Sequence, residues 1–169
     1  MADQLTISLN EILFFFTRAG FGVNASIGVS EDFALSNIWL AENGFDPSLC
    51  SIVALDSLDK GKSSLLIKYS DGNFSGPDSQ YLSAMQASVS ALDWITSGQG
   101  AVLTITTVDS PLLVVAALGA NHVKGWQIRW LDETGASYQV NFIGDGRWQV
   151  ISDSTSSIEL SKGATMTVS

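Results

Sequence analysis

Two turn sequences near the C-terminus constrain the fold of this chain more tightly than any other feature. Asp132-Glu-Thr-Gly135 is typical of a type I turn that ends in a left-handed glycine, and Gly144-Asp-Gly146 supplies a second tight turn. Strands paired across these turns place their apolar residues on one common face, which comprises Trp126, Ile128, Trp130, Tyr138, Val140, Phe142, Trp148 and Val150. Because two independent turns agree on one register, the sequence predicts a three-stranded antiparallel sheet.

The N-terminal region carries clear helix signals. Ser8 and Glu11 form a capping box, so the first helix is expected to begin at Leu9. Apolar residues then recur at helical spacing until Gly20 and Gly22, and two extra phenylalanines widen the stripe. This helix is therefore expected to be buried on more than one side.

Two further helices are predicted before residue 58. The second is expected to begin at Ser30, whose hydroxyl can cap it, and to end at Gly44. Asp46 and Pro47 then provide a cap and a first-turn proline for the third. Short helices with brief links cannot each bury a face alone, so we expect residues 1–58 to form a helical cap that packs against the rest of the chain.

Residues 59–169 are predicted to contain the sheet of a single domain that spans residues 1–169. Alternating apolar residues predict strands over 65–69 and 101–108, and helical spacing predicts a long helix over 79–95. Ser110 and Pro111 are typical of a helix start, so 112–118 is predicted as a short helix. Apolar positions in 158–160 and 166–168 indicate one or two further strands. The predicted class is α+β, with a three-helix segment followed by a mostly antiparallel sheet and one long and one short covering helix.

The charge and composition of the chain argue against several classes of protein. The 17 acidic and 8 basic side chains give a formal net charge of −9, and they are scattered along the sequence. Such a chain is not expected to bind nucleic acid or an anionic membrane surface.

Its single cysteine, Cys50, is predicted to be a buried apolar residue. The longest apolar runs are too short for a signal peptide or a membrane span, so the expected location is the bacterial cytoplasm.

One set of helix caps, glycines and core positions is distinctive, namely Ser8, Glu11, Arg18-Ala19, Gly22, Gly28, Glu31-Asp32, Trp39-Leu40, Gly44 and Pro111-Leu112-Leu113. In these residues the chain resembles a bacterial family known only as a domain of unknown function, which implies no activity. The segment from Glu31 to Gly44 is also similar to the opening helices of malate/L-lactate dehydrogenases that lack a Rossmann fold. Those enzymes have Ser-His-Gly soon after the glycine, whereas this chain has Phe45-Asp46-Pro47.

Motifs for cofactors, metals or catalysis are weak. Residues 20–25 spell G-x-G-x-x-A, but the helix that dinucleotide binding requires does not begin within them. Gly61-Lys62-Ser63 matches the end of a P-loop, yet a strand is predicted to follow where a helix is needed. His122 is the only histidine and is expected to cap a helix end or to lie at the surface. The sequence therefore predicts no cofactor, no metal site and no identifiable catalytic residue.

The strongest indication of a binding site is a set of polar side chains on the other face of the predicted sheet. We name this set the polar ridge, and it comprises Gln127, Arg129, Gln139, Asn141, Arg147 and Gln149. Its amides and two of the chain's three arginines could bind a small anionic or polar metabolite, or a partner protein. The alternative is a plain solvent-facing surface. The aromatic side chains of the opposite face could stack a sugar or a base, but their alignment with aliphatic positions predicts that they belong to the core.

The favoured function is a non-catalytic module that binds a small ligand or assembles with a protein, which could be a second copy of the chain. The alternative is an enzyme, either a diverged relative of the non-Rossmann malate/lactate dehydrogenases or a carboxylate-based hydrolase. A deep closed pocket lined by two or more ionisable side chains would favour the enzyme, whereas a flat patch with an apolar rim would favour the module.

Overall fold

The computed structural model describes residues 7–152 and 158–169. The helices in this part of the chain are α1 (Leu9–Gly22), α2 (Ile27–Glu42), α3 (Pro47–Asp59), α4 (Ala84–Ser97) and α5 (Pro111–Ala120). The strands are β1 (Ser63–Ser64), β2 (Lys68–Ser70), β3 (Asn73–Ser75), β4 (Tyr81–Leu82), β5 (Leu103–Val108), β6 (Trp126–Leu131), β7 (Ser137–Gly144), β8 (Arg147–Ser152) and β9 (Ala164–Val168). The α+β class is confirmed, with three helices at the N-terminus and one long and one short helix among the strands.

The described strands form one mixed sheet. Its neighbours run in the order β1, β4, β5, β9, β6, β7, β8, and the β2–β3 hairpin joins it through the pairing of β3 with β5. The pairs β1–β4, β3–β5 and β4–β5 are parallel, and all other pairs are antiparallel. The sheet is therefore mostly antiparallel, as predicted.

The register of β6, β7 and β8 is the one that the two turns predict. Trp130 lies opposite Tyr138 across the first turn, and Val140 lies opposite Val150 across the second. Gly135 adopts the left-handed conformation that the first turn requires, with φ of 84°. Turn chemistry and the alternation of apolar residues thus specify this part of the sheet without help from distant contacts.

The first two helices differ from the prediction in burial and in one boundary. α1 has the predicted capping box, but it is not buried on several sides, because Phe14 and Phe15 are 55% and 59% exposed. α2 begins at Ile27 rather than after Ser30, and the hydroxyl of Ser26 caps it. Ser30 is fully buried where α2 crosses α1, because glycine at position 20 allows the two helices to approach closely.

Two predictions in the middle of the chain are wrong in their boundaries. The long helix begins at Ala84 instead of residue 79, because β4 pairs with β1 and β5 before the helix starts. The strand predicted over 65–69 is replaced by two short strands on either side of residues 65–67. Of the one or two further strands predicted near the C-terminus, one is present as β9, and residues 158–160 form a 3₁₀ turn.

Helix α5 forms the centre of the core. Every residue from Pro111 to Gly119 is buried, and the helix packs against α2 and α4. Ser110 does not cap α5 with its side chain; its hydroxyl instead donates a hydrogen bond of 3.2 Å to the carbonyl oxygen of Cys50 on α3. None of the described helices is both long enough and apolar enough to cross a membrane.

The capping box allows a direct test of the start of α1. The Ser8 hydroxyl accepts a hydrogen bond from the Glu11 N–H at 3.3 Å, and Glu11 Oε2 accepts one from the Ser8 N–H at 2.8 Å. We expect Ser8→Ala to lower the free energy of unfolding by ~1 kcal/mol, because the first turn loses an acceptor for its N–H groups. Urea denaturation measures this difference, and equal stability of the two proteins would show that the cap contributes nothing.

Candidate functional site

The structure places most of the polar ridge as the sequence predicts. Gln127, Asn141 and Gln149 lie opposite one another across β6, β7 and β8, and Arg129 lies opposite Gln139. Asn141 Oδ1 accepts hydrogen bonds from Gln127 Nε2 at 2.8 Å and from Gln139 Nε2 at 3.0 Å. Arg129 Nε donates to Gln139 Oε1 at 3.1 Å. Much of the amide capacity of the ridge is therefore used within the ridge itself.

The arginines of the ridge have different surroundings. No carboxylate in the described part of the chain lies within ion-pair distance of Arg129 or Arg147. The register shifts between Phe142 and Gly144, and Arg147 lines a separate cavity of about 170 Å³ near Trp148. Arg129 is thus the arginine that belongs to the hydrogen-bonded network, and binding of an anion at the ridge stays a prediction.

The Arg129→Ala variant tests the ridge. We expect its free energy of unfolding to stay within about 0.5 kcal/mol of the wild type, because Arg129 is exposed and surface substitutions have small effects. If the ridge binds anions, inorganic phosphate will shift the backbone amide NMR signals of β6 and β7 in the wild type but not in the variant. The absence of such shifts in the wild type would count against an anion site there.

The aromatic side chains opposite the ridge belong to the core, as predicted. Trp130 and Tyr138 are buried and stacked, with ring centroids 5.2 Å apart. Trp126 meets Trp94 edge to face, and Trp148 is partly buried against α2, where its Nε1 donates to Asn43 Oδ1 at 2.7 Å. Trp130 and Tyr138 are thus enclosed in the core, and Trp126 and Trp148 are partly buried against it.

A cavity that the sequence does not reveal lies between α3, β4 and the end of β5. Its volume is about 250 Å³, and its lining includes apolar, hydroxyl and charged side chains: Ile52, Val53, Asp56, Ser57, Lys62, Tyr81, Asp109, Glu133 and Lys162. We name it the Asp109 cavity. Its ionisable residues come from distant parts of the sequence, so no local motif marks them.

Asp109 is the unusual member of this lining. It directly follows β5 and is only 1% exposed. Its Oδ1 accepts a hydrogen bond of 2.8 Å from the N–H of Ala84, the first residue of α4. Its Oδ2 is buried and has no hydrogen-bond partner among the described residues. One carboxylate oxygen therefore supports the fold, and the other receives no hydrogen bond among the described residues, since the nearby Ser63 hydroxyl is bonded to Ser57 Oγ instead.

The environment of Asp109 changes its acidity. Burial raises the pKa of its carboxyl group from an ordinary value of 3.8 to about 7, because the ionised form is poorly solvated there. The Ser63 hydroxyl, itself hydrogen-bonded to Ser57 Oγ at 2.6 Å, and the Ala84 N–H lower the pKa in part. Asp109 thus changes its protonation state near neutral pH.

The other charged groups of the cavity are mostly paired. Glu133 lies 3.2 Å from the ammonium group of Lys162, and Asp56 lies 2.7 Å from that of Lys60. Lys62 has no carboxylate within ion-pair distance in the described ranges. Among the described residues, the cavity therefore combines one buried carboxyl group whose Oδ2 has no hydrogen-bond partner with one lysine that has no acidic partner.

Cys50 and His122 lie outside this arrangement. Cys50 is fully buried, as predicted, and burial raises the pKa of its thiol to about 12, so it is not a nucleophile at neutral pH. His122 is exposed just beyond the end of α5. The described residues contain no group of three or more metal-ligating side chains.

No protein-family model and no curated protein matches this chain. A solved structure that does match is described as "The structure of a putative malate/lactate dehydrogenase from E. coli", with 12% sequence identity and a TM-score of 0.54. The match covers 90% of this chain and 51% of the other, so this chain spans about half the length of that protein. At this identity the comparison shows a shared fold, which agrees at the level of fold with the similarity predicted from Glu31 to Gly44.

Proposed function

We propose that this protein is a binding module for a small zwitterionic metabolite of amino-acid size, held in the Asp109 cavity. The observation that carries the proposal is the buried Asp109 Oδ2, which has no hydrogen-bond partner in the described structure. Buried polar atoms are nearly always hydrogen-bonded, since leaving one unsatisfied costs about 1–3 kcal/mol. A ligand that donates a hydrogen bond to Oδ2 would remove this cost.

The charges of the cavity select the chemistry of the ligand. An ammonium group next to Asp109 would favour the ionised carboxylate and neutralise it. Lys62 forms no ion pair with an acidic residue in the described part of the chain. It can therefore bind a carboxylate of the same ligand. A molecule that carries both groups, such as an amino acid, satisfies both sites without adding net charge to the protein.

The size of the cavity supports the same class of ligand. Its volume of about 250 Å³ lies just below the roughly 300–1,000 Å³ typical of pockets for drug-sized ligands. The side chains of Ile52 and Val53 contribute an apolar wall, which can contact a short aliphatic side chain of the ligand. Nucleotides and other large metabolites exceed this space.

A thermal-shift experiment with the twenty standard amino acids at pH 8 tests the proposal. A ligand at 100 times its Kd adds about 2.7 kcal/mol to the free energy of unfolding, and each kcal/mol raises Tm by about 2–4 °C for a chain of this size. We expect at least one amino acid to raise the Tm of the wild type and none to raise that of Asp109→Asn.

A matched control separates the cavity from a general charge effect. Asp145→Asn also removes one carboxylate, at an exposed turn position whose φ of 55° asparagine tolerates. We expect this variant to respond to amino acids as the wild type does. An amino acid that stabilises Asp109→Asn as strongly as the wild type would show that the ligand binds elsewhere.

A second candidate function is an enzyme in which Asp109 transfers a proton. Its pKa of about 7 is suited to general acid–base chemistry, and the matched E. coli protein carries a malate/lactate dehydrogenase description. Several ionisable side chains line the cavity, which favours the enzyme, but Asp56 and Glu133 are ion-paired with lysines, which favours the non-catalytic function. Stabilisation of the wild type by 2-hydroxy acids, but not by the matching amino acids, would favour the enzyme instead.

A further inference from the structure

Helix α1 exposes several large apolar side chains to solvent, and three of them line one groove. Phe14, Phe15 and Phe21 are 55%, 59% and 45% exposed, and Leu9 and Leu13 are 44% and 37% exposed. The groove has a volume of about 630 Å³ and is lined by Asn10, Leu13, Phe14, Thr17, Arg18 and Phe21. Contiguous exposed apolar surface of this kind marks an interaction site in soluble proteins.

The groove residues are not required to attach α1 to the rest of the protein. α1 contacts α2 through its opposite side, where Ile12 and Gly20 are buried and Phe16 meets Phe33 edge to face at 5.6 Å. The groove residues follow the spacing i, i+3, i+4, i+7, i+8 and i+11, which is one continuous stripe on a helix. α1 is therefore a helix with two apolar sides, only one of which the described chain covers.

The charged residues beside the groove on α1 indicate which partner it binds. Glu11 and Arg18 lie seven residues, or about two turns, apart on the same flank of the stripe. When two such helices pair antiparallel about a two-fold axis, the same flank of each helix contacts that of the other, and the two sequences run in opposite directions. Glu11 of each copy therefore faces Arg18 of the other. The axis then passes near Phe14, halfway between the two charges. The face carries no net charge on a chain of net charge −9, which favours a second copy over a basic partner.

We infer that the groove on α1 binds α1 of a second copy of this chain, in an antiparallel arrangement with two-fold symmetry. With the axis near Phe14, Phe14 of each copy inserts beside Leu13 and Thr17 of the other, and Phe21 of each copy inserts beside Asn10 of the other. Arg18 already lies 5.1 Å from the centre of the Phe14 ring, in a position from which it can also reach Glu11 of the second copy. The interface is independent of the Asp109 cavity and of the ligand proposed there.

Sedimentation velocity of the purified protein between 1 and about 200 µM tests this inference. We expect a dimer for the wild type and a monomer for the double variant Phe14→Glu/Phe21→Glu, with helical content unchanged by circular dichroism. Leu66→Glu is the matched control, because Leu66 is 71% exposed and lies outside α1, and it should remain a dimer. A wild type that stays monomeric across the range, or a Phe14→Glu/Phe21→Glu variant that remains a folded dimer, would overturn the inference.

Engineered cysteines test the direction of the pairing. Phe14→Cys lies within one residue of the proposed two-fold axis, so it should form a disulfide-linked dimer with a mild oxidant. Asn10→Cys lies more than one turn from the axis, and its symmetry mates are then too far apart to join. The native Cys50 is buried and does not interfere. Disulfide formation by Asn10→Cys at the rate of Phe14→Cys would indicate parallel pairing and would contradict the proposed arrangement.

Discussion

Replacing Asp109 with asparagine is expected to stabilise the protein above pH 7, although Asp109 is a buried group with a structural hydrogen bond. Asparagine keeps an oxygen that can accept the bond from the Ala84 N–H and carries no charge to be buried. In the wild type the folded pKa of about 7 lies above the ordinary 3.8, so the folded state binds more protons between these values. Stability therefore falls as pH rises from about 4 to 7.

The expected size of this effect is large. A shift of about three pKa units corresponds to roughly a few kcal/mol of stability lost above pH 7, and Asp109→Asn does not incur this loss. Urea denaturation of both proteins at pH 5 and pH 8 measures it, and the advantage of the variant should grow between the two pH values. Parallel stability profiles for the variant and the wild type would show that Asp109 is not the buried, titrating group described above.

Gly119→Ala is expected to destabilise the protein, although alanine is normally favoured over glycine inside a helix by about 1 kcal/mol. A Cβ atom at position 119 would lie 2.6 Å from Trp39 Nε1. Trp39 cannot move freely, because Phe45 and Trp148 lie against it with ring centroids at 6.4 and 5.3 Å. We expect a net loss of about 1–3 kcal/mol, the usual range for an overpacked core.

The control for this substitution is Gly28→Ala in α2. No heavy atom lies within 4 Å of a Cβ atom at position 28, so this change should be neutral or slightly stabilising. Urea denaturation followed by tryptophan fluorescence reports on both variants, since Trp39 and Trp148 lie in the affected cluster. A Gly119→Ala variant as stable as the wild type would mean that the contact between α5 and α2 is looser than the structure indicates.

The elements predicted correctly are those that local chemistry specifies. The register of β6 to β8 follows from two turns and an alternating pattern, and the start of α1 follows from the Ser8–Glu11 capping box. The errors arise where distant contacts decide. Ser30 has the chemistry of a cap, but it is buried against α1, and residues 81–82 form a strand because β1 and β5 are available to pair with them.

The candidate site was less predictable than the fold. The polar ridge lies on adjacent strands, so the alternating pattern was sufficient to bring its members together, except for Arg147. The Asp109 cavity draws its ionisable groups from residues 56, 62, 81, 109, 133 and 162, and only the folded chain brings them together. In the sequence, Asp109 is a single acidic residue between a strand and a helix start. Neither its burial nor the absence of a hydrogen-bond partner for its Oδ2 among the described residues follows from that position.

The most direct test of the central claim is an NMR titration of the Asp109 side-chain carboxyl carbon, assigned by its absence in Asp109→Asn. In the free protein we expect a pKa of about 7. In the presence of the amino acid that gives the largest thermal shift, we expect this pKa to fall clearly, because a bound ammonium group favours the ionised carboxylate. A pKa that is the same with and without that amino acid would contradict the proposal that Asp109 binds the ligand.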